Sequence, residues 1–348
     1  MLILGIETSC DETAASVVED GTKVLSHVLA TSADMHTKTG GIIPEVAARE
    51  QLRSIIPVVD AAISNATPKG SQAFQISNID AIAVTAGGPG LIGSLLVGVE
   101  TAKTLAYVWD KPIVPVVHIL AHLYANWLMD APYPEFPAIV LTVSGGHTEL
   151  ILMRDHGDFQ MLGGTRDDSA GETFDKTARL LGLPYPGGPS IQKAAKNGDP
   201  SKIILPRPMK DSGDFDFSFS GLKTAAAREV SKLKAMKQFN NETISHIAAS
   251  VQEAIADVLS AKAVAAVRKY GVKSLLVAGG VAANNRFREL LVERSPVPVF
   301  IPPVELCTDN GSFIASFAYF NYNPRPWSKI IAIPDADEAM KVYAKIKS

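Results

Sequence analysis

Short apolar runs separated by turns open the chain. Leu2–Thr8, Ala14–Glu19 and Lys23–Ala30 predict three strands, with turns at Cys10-Asp11-Glu12 and Asp20-Gly21. The period then lengthens. From Pro44, which suits a first helical turn, Leu52, Ile55, Ile56, Val59 and Ile63 recur at helical spacing and predict one apolar face. Ile79–Thr85 predicts a strand ending at glycines, and Leu91–Val108 a helix in which Gly93, Ser94 and Gly98 allow close packing. The plan then repeats. Ala138–Val143, Glu149–Arg154 and Phe159–Leu162 predict strands, followed by helices at Ser169–Leu181, Ser190–Ala195, Gly221–Lys234 and Glu242–Tyr270. Lys273–Ala278, Asn285–Arg294 and Val297–Pro302 close the half as a strand, a helix and a strand. Strands first and helices after, twice over, predict an α/β protein of two duplicated domains, with a ligand expected between them.

Composition narrows the class. With 348 residues, 47% of them hydrophobic and 20% charged, the chain is neither disordered nor fibrous. A net charge of −3 gives no global basic field, so a polyanionic partner needs a local patch or a second protein. Segment 201–240 is one such excess, with eight bases against four acids, and reads as either a solvated helical face or a phosphate-contacting patch. The best apolar run, Leu91 to Trp109, is broken by Glu100 and Lys103, and the first residues reach Glu7 without a basic stretch. Two cysteines cannot build a disulfide framework. The expectation is a soluble, cytoplasmic protein with no membrane partner.

Candidate chemistry begins at His118 and His122, four residues apart after the apolar strand Ile113–Val117. That spacing puts both imidazoles on one helical face, which suits two ligands of one metal but also two structural histidines. Ile119 stands where a metallopeptidase places its general base, so peptide hydrolysis by that route is excluded. Glycine-rich turns recur at 85–90, 144–147, 186–189 and 278–281, and their amides could approach phosphate oxygens. None is a P-loop or a dinucleotide fingerprint, and Ser144 fails the nucleophile-elbow pattern. Asp11 and Glu12 are either solvated turn acids or groups reaching a ligand. Asp309 reads as an N-cap that can double as a ligand. Cys10 and Cys307 read as buried thiols, while His27, His36, His156 and His246 read as surface or structural. For His147, spacing leaves a turn residue and a ligand contact equally open.

An ordered series of motifs then points to a family. Gly5-Ile-Glu-Thr-Ser-Cys-Asp-Glu-Thr13, Gly41-Ile-Ile-Pro-Glu45, Pro89-Gly-Leu91, His118 with His122, Val143-Ser-Gly-Gly-His-Thr148, Ala170-Gly-Glu-Thr-Phe-Asp-Lys176, Tyr185-Pro-Gly-Gly-Pro189, Phe217-Ser-Phe-Ser-Gly-Leu-Lys223, Ala278-Gly-Gly-Val281 with Asn284, and Cys307-Thr-Asp-Asn310 occur in sequence. The chain resembles the tRNA threonylcarbamoyladenosine transferases, the TsaD family, over about residues 5 to 320, in its bacterial and organellar form. The resemblance implies the actin, Hsp70 and sugar-kinase fold, two ribonuclease-H-like domains around a cleft. One would span 1–111 plus 304–348 and the other 112–303, with a helical insertion around 165–270.

It also implies transfer of threonylcarbamoyl from threonylcarbamoyl-AMP to N6 of the adenosine just 3′ of the anticodon, position 37, in tRNAs reading codons that begin with adenine. AMP is released. His118, His122 and Asp309 would hold one divalent metal, iron or zinc. Thr142, Val143, Ser144, Gly145, Gly146, Asp175, Gly188, Asn284 and Gln192 would line the adenylate site, and Asp11 or Glu12 would take the N6 proton. A paralogous TsaB-type subunit and a TsaE-type ATPase are the implied partners. Three positions depart from the family pattern: an added glycine at Gly87-Gly88, Gln51 for a histidine, and Gln192 for an acid. An ATPase or phosphotransferase of the same fold would need oxygen ligands for magnesium, against which the two histidines argue. An idle scaffold would have lost the metal residues, and all three are present.

Overall fold

In the computed structural model, which describes residues 1–32, 35, 42–67 and 74–344, β1 (Leu2–Glu7) is the hinge of the first sheet. β2 (Glu12–Glu19) and β3 (Lys23–Thr31) add antiparallel on one side of it. β4 (Ala81–Gly87) and β5 (Ile113–Val117) add parallel on the other, giving the order β3-β2-β1-β4-β5. The second sheet repeats that order as β8-β7-β6-β9-β10, from β6 (Ala138–Val143), β7 (Thr148–Asp155), β8 (Asp158–Gly164), β9 (Ser274–Ala278) and β10 (Val299–Phe300). Both are ribonuclease-H-like sheets, and the duplication predicted from patterning is real. His36 and Gly41 lie outside the described residues.

The chain forms two compact units. The first holds Met1–Tyr133, the turn His156–Asp158 and residues 308–344; the second holds Pro134–Asp155 and Phe159–Cys307. The division falls at Tyr133 rather than at 111 because β5 hydrogen-bonds to β4, Ile82 opposite Ile113 through Thr85 opposite Val116. That pairing keeps the histidine segment after β5 in the first unit. Each unit has its own apolar core, with Leu4, Ile6, Val17, Ile82 and Val84 in one and Ile139, Leu141, Phe174, Phe217 and Val251 in the other.

Helix α1 (Pro44–Asn65) starts with its proline at the first turn, as predicted, but buries a different stripe. Ala47, Gln51, Ile55, Val58, Val59 and Ala62 face inward, while Leu52 and Ile56 are 63% and 56% exposed. The helix packs on β2 and β3, and the Gln51 amide reaches the backbone carbonyls that follow β1. α2 (Ile92–Trp109) packs beside it. α3 (His118–Ala121) follows β5 without a linker and continues as a 3₁₀ turn, His122–Trp127.

In the second unit, α4 (Ala170–Leu181) is capped by Ser169, whose side chain accepts the Glu172 amide. It is followed by α5 (Gly187–Ala195), α6 (Ser220–Ala235), α7 (Asn241–Tyr270) and α8 (Asn285–Arg294). A short turn, α9 (Val304–Cys307), leads back toward the first unit's last long helix, α10 (Gly311–Phe320).

Almost every side chain of α10 is buried, because this helix lies directly on β1. A Cβ on Gly5 would stand 2.1 Å from the Gly311 carbonyl oxygen, and one on Gly311 would stand 2.6 Å from that of Gly5. The two backbones therefore approach as only glycines permit. Gly5→Ala is expected to lower stability by roughly 1–3 kcal/mol, the usual cost of overpacking. Thermal unfolding checks this, and an unchanged midpoint would show that α10 moves aside at no cost.

Candidate functional site

The last turn before α10 carries Asp309. Its expected capping role belongs instead to Asn310, whose side chain accepts the amides of Ser312 and Phe313. Asp309 is thus free to face the histidines. Its Oδ1 lies 3.1 Å from His122 Nε2 and 3.5 Å from His118 Nε2, and the two Nε2 atoms are 3.1 Å apart. These donors lie within 4.8 Å of one another. Two imidazole nitrogens and one carboxylate oxygen suit a transition metal better than magnesium. His122 is braced by the Phe313 ring at 4.4 Å, and its other nitrogen, Nδ1, is buried without a partner.

The charges around the donors are strongly coupled. Burial works to lower the His118 pKa, but the carboxylates of Glu7 and Asp309 outweigh it and hold it at about 9. Burial likewise works to raise the Asp309 carboxyl, yet His118 and His122 hold it well below the usual carboxylate range. Glu7 is buried at the end of β1, and His118 Nδ1 meets its Oε2 at 3.0 Å.

The turn after β1 is clamped from several sides. Gln51 Nε2 donates to the carbonyls of Thr8, Cys10 and Glu12 at 3.3, 3.0 and 2.9 Å. Ser94 Oγ donates to the Cys10 carbonyl and the Leu91 amide to that of Ser9. Gly98 lies against Thr8, where a Cβ would stand 2.2 Å from Oγ1. Glu12 is the first residue of β2 rather than a turn residue. Burial, and then the neighbouring carboxylates of Asp309 and Asp11, push its pKa up to about 10. That direction works against Glu12 as a proton acceptor. Cys10 is half-buried rather than buried, with burial pushing its thiol up; Cys307 is buried as expected.

The added glycine at 87–88 also has a structural use. The Gly88 amide donates to the Ile333 carbonyl and the Ile333 amide to Ala86, so the C-terminal segment runs beside the end of β4. A Cβ on Gly88 would stand 2.0 Å from the Pro334 carbonyl oxygen.

In the second unit the adenylate candidates form one connected surface. Thr142 pairs with Ala278 across the sheet, and Gly279, at φ +89°, lies against the Val143 carbonyl. In the turn after β6, Ser144 Oγ accepts the amides of Gly146 and His147, so not every glycine amide there is open to a phosphate. Gly171 packs on the Ser144 carbonyl and Ser169 Oγ donates to that of Gly145, seating the start of α4 on the turn. Asp175 Oδ1 accepts the Gly187 amide at 2.7 Å, and burial pushes its carboxyl up. Asn284 caps α8 through the Phe287 amide and donates to Gln252. Gln192 Oε1 accepts the Asn285 amide at 2.7 Å. Gly145, Gly146 and Gly188 have open space where a Cβ would be, the condition for a ligand to approach backbone closely.

The basic segment is less available than its composition shows. Arg207 and Lys210 pair with Asp257, and Lys223 with Asp168. Lys232 pairs with Glu229, and Lys234 lies over the Phe239 ring. Phe217 and Phe219 are core residues, while Asp167 accepts the Phe219 and Ser220 amides and so fixes the start of α6. Of the remaining histidines, His27 bonds Ser16, His156 stacks on Phe320 and His246 accepts the Asp199 amide, all structural.

Patterning missed two residues. Glu7 was signalled as an acid inside an otherwise apolar strand. Gln51 carried no local signal, because its partners are backbone atoms distant in sequence.

Among the described residues no helix is long and apolar enough to cross a membrane. Among curated proteins, the tRNA N6-adenosine threonylcarbamoyltransferase of Thermomicrobium roseum is 50% identical over 342 residues, covering 92% of each chain. That of Dehalococcoides mccartyi strain BAV1 is 51% identical over 322 residues, covering 92% of this chain and 94% of the relative. Among solved structures, HypF of T. kodakarensis superposes with a TM-score of 0.59 at 16% identity, over 92% of this chain and 47% of that one, a likeness of fold alone. The sequence model of the tRNA N6-adenosine threonylcarbamoyltransferases matches residues 23–316, and the chain belongs to that family.

Proposed function

We propose that the chain performs the family's transfer by positioning an activated adenylate in its second unit and a divalent cation in its first. The observation that carries this reading is the convergence of His118, His122 and Asp309 on one point. Threonylcarbamoyl-AMP is a mixed anhydride, already activated, so no covalent enzyme nucleophile is required. The N6 amine of adenosine is a weak nucleophile because its lone pair is delocalised. Catalysis then rests on orientation and on stabilising charge at the carbonyl and the departing phosphate.

The 142–146 turn and the start of α4 would support the phosphate, where amides and the helix dipole favour an anion. Asp175, Gly188 and Asn284 would hold the nucleoside, with Gln192 Nε2 left to donate to a ribose hydroxyl. A cation held by His118, His122 and Asp309, iron or zinc, would supply polarisation of substrate oxygens. Asp11, rather than Glu12, would accept the N6 proton. A reaction on tRNA is in keeping with a cytoplasmic protein. The exposed apolar strip of Leu52, Ile56 and Leu96 on α1 and α2 supports a protein partner there, in keeping with the implied TsaB-type subunit, with a TsaE-type ATPase in the same assembly. Mass spectrometry of tRNA incubated with the protein, threonylcarbamoyl-AMP and these partners tests the whole reading; unmodified adenosine with all components present would overturn it.

The paired variant His118→Ala, His122→Ala is expected to lose most of its bound metal by elemental analysis while remaining folded. Metal retained at the wild-type level would put the site elsewhere. Asp175→Ala is expected to weaken AMP binding in calorimetry by about 10- to 150-fold, the equivalent of losing a charged hydrogen bond worth roughly 1.5–3 kcal/mol. A wild-type titration would remove Asp175 from the site.

For tRNA, Lys232, Lys234 and Lys237 are exposed bases clustered on and just after α6. Neutralising all three is expected to weaken tRNA binding and flatten its salt dependence, by a slope of about 0.9 per lost duplex phosphate contact. AMP binding should stay unchanged. Normal tRNA binding across salt concentrations would make them a solvated face.

A further inference from the structure

We propose that Glu7 is the positioning residue that fixes which ring nitrogen of His118 faces the cation; this rests on the metal reading above. The Glu7 side chain is fully buried, and three groups converge on it. Its Oε1 accepts the Ser9 amide, and its Oε2 accepts the Thr85 hydroxyl and faces His118 Nδ1 at 3.0 Å. Oε2 accepts from the Thr85 hydroxyl and, as a carboxylate oxygen, accepts from the ring as well, so this arrangement puts the His118 proton on Nδ1. When a cation takes the place of the ring's second proton, the lone pair lies on Nε2, the atom that faces His122 Nε2 and Asp309 Oδ1. A carboxylate behind a ligating histidine sets ring orientation and tautomer in this way and raises the basicity of the ligating nitrogen. His122 has no such support, since its Nδ1 is without a partner. The site's geometric precision therefore enters through His118.

Glu7→Gln separates this role from packing because it conserves volume. The Ser9 amide can only donate, so the glutamine oxygen stays on Ser9 and its NH₂ faces Thr85 and His118. The Thr85 hydroxyl can rotate to accept. His118 can accept only by moving its proton to Nε2, which removes the lone pair from the cation's side.

The expected result is a variant that melts near the wild type and binds zinc 10- to 100-fold more weakly in a chelator competition. Nitrogen-15 spectra of the zinc-loaded wild type should show His118 ligating through Nε2 with a protonated Nδ1. That signature should be lost in Glu7→Gln. Wild-type zinc affinity in the variant, or ligation of the wild-type His118 through Nδ1, would overturn the proposal. Should Glu7→Gln fail to fold, the wild-type spectrum still decides. If the variant lacking His118 and His122 also binds zinc normally, the metal centre itself is misplaced, a failure distinct from that of Glu7.

Discussion

Asp309 meets the two histidines because two backbones cross where neither has a side chain. The Gly5 strand and the first turn of α10 approach so closely that a single methyl on either would strike a carbonyl oxygen of the other. Everything else in the first unit's site follows from that crossing. It places the loop before α10 over the end of β1, while β4 and β5 carry α3 to the same edge. The donors thus come from segments nearly two hundred residues apart, yet each leaves a rigid element within a residue or two of its end. A site built on such ends holds its geometry better than one carried by long loops.

Charge is managed in the same place. Three acids, Glu7, Glu12 and Asp309, are drawn out of water beside two histidines, and each is treated differently. Glu7 is surrounded by donors and Asp309 by imidazoles, while burial and then neighbouring carboxylates push Glu12 up. Local surroundings rather than residue type decide which acid can bind a cation and which cannot. Asp257 in the second unit shows the contrasting case. It is paired with Arg207, Lys210 and Arg294 and fully committed to tying segment 205–210 to α7 and α8.

Period and turn chemistry carried the fold a long way. The strand-then-helix duplication, the start of α1 at Pro44 and the span of α7 were all legible, because each depends on local spacing. The exposed Leu52 and Ile56 were not legible. Helical spacing identifies an apolar face but not its rotation, and here the rotation is set by Gln51 reaching across to another strand. The 111 boundary was missed for a similar reason, since no local feature says that β5 pairs with β4. The histidine pair is visible as a motif, whereas local spacing leaves its third donor open between a cap and a ligand, and Asn310 takes the cap.

Gln51 and Gln192 serve one physical purpose. Gln51 gives its NH₂ to three carbonyls of the turn between β1 and β2, and Gln192 gives its oxygen to the first amide of α8. Each ties backbone groups to a side chain from a segment distant in sequence. A neutral histidine at 51 would offer one N–H where the amide offers two, so the glutamine ties down more of the turn that presents Cys10, Asp11 and Glu12. At 192 an acid could also accept the Asn285 amide, but its second oxygen would repel the electron-rich oxygens of a nucleotide unless a hydroxyl turned toward it. The glutamine's NH₂ is a donor whichever way a ligand turns, so in the proposed adenylate site it would tolerate more than one ribose orientation.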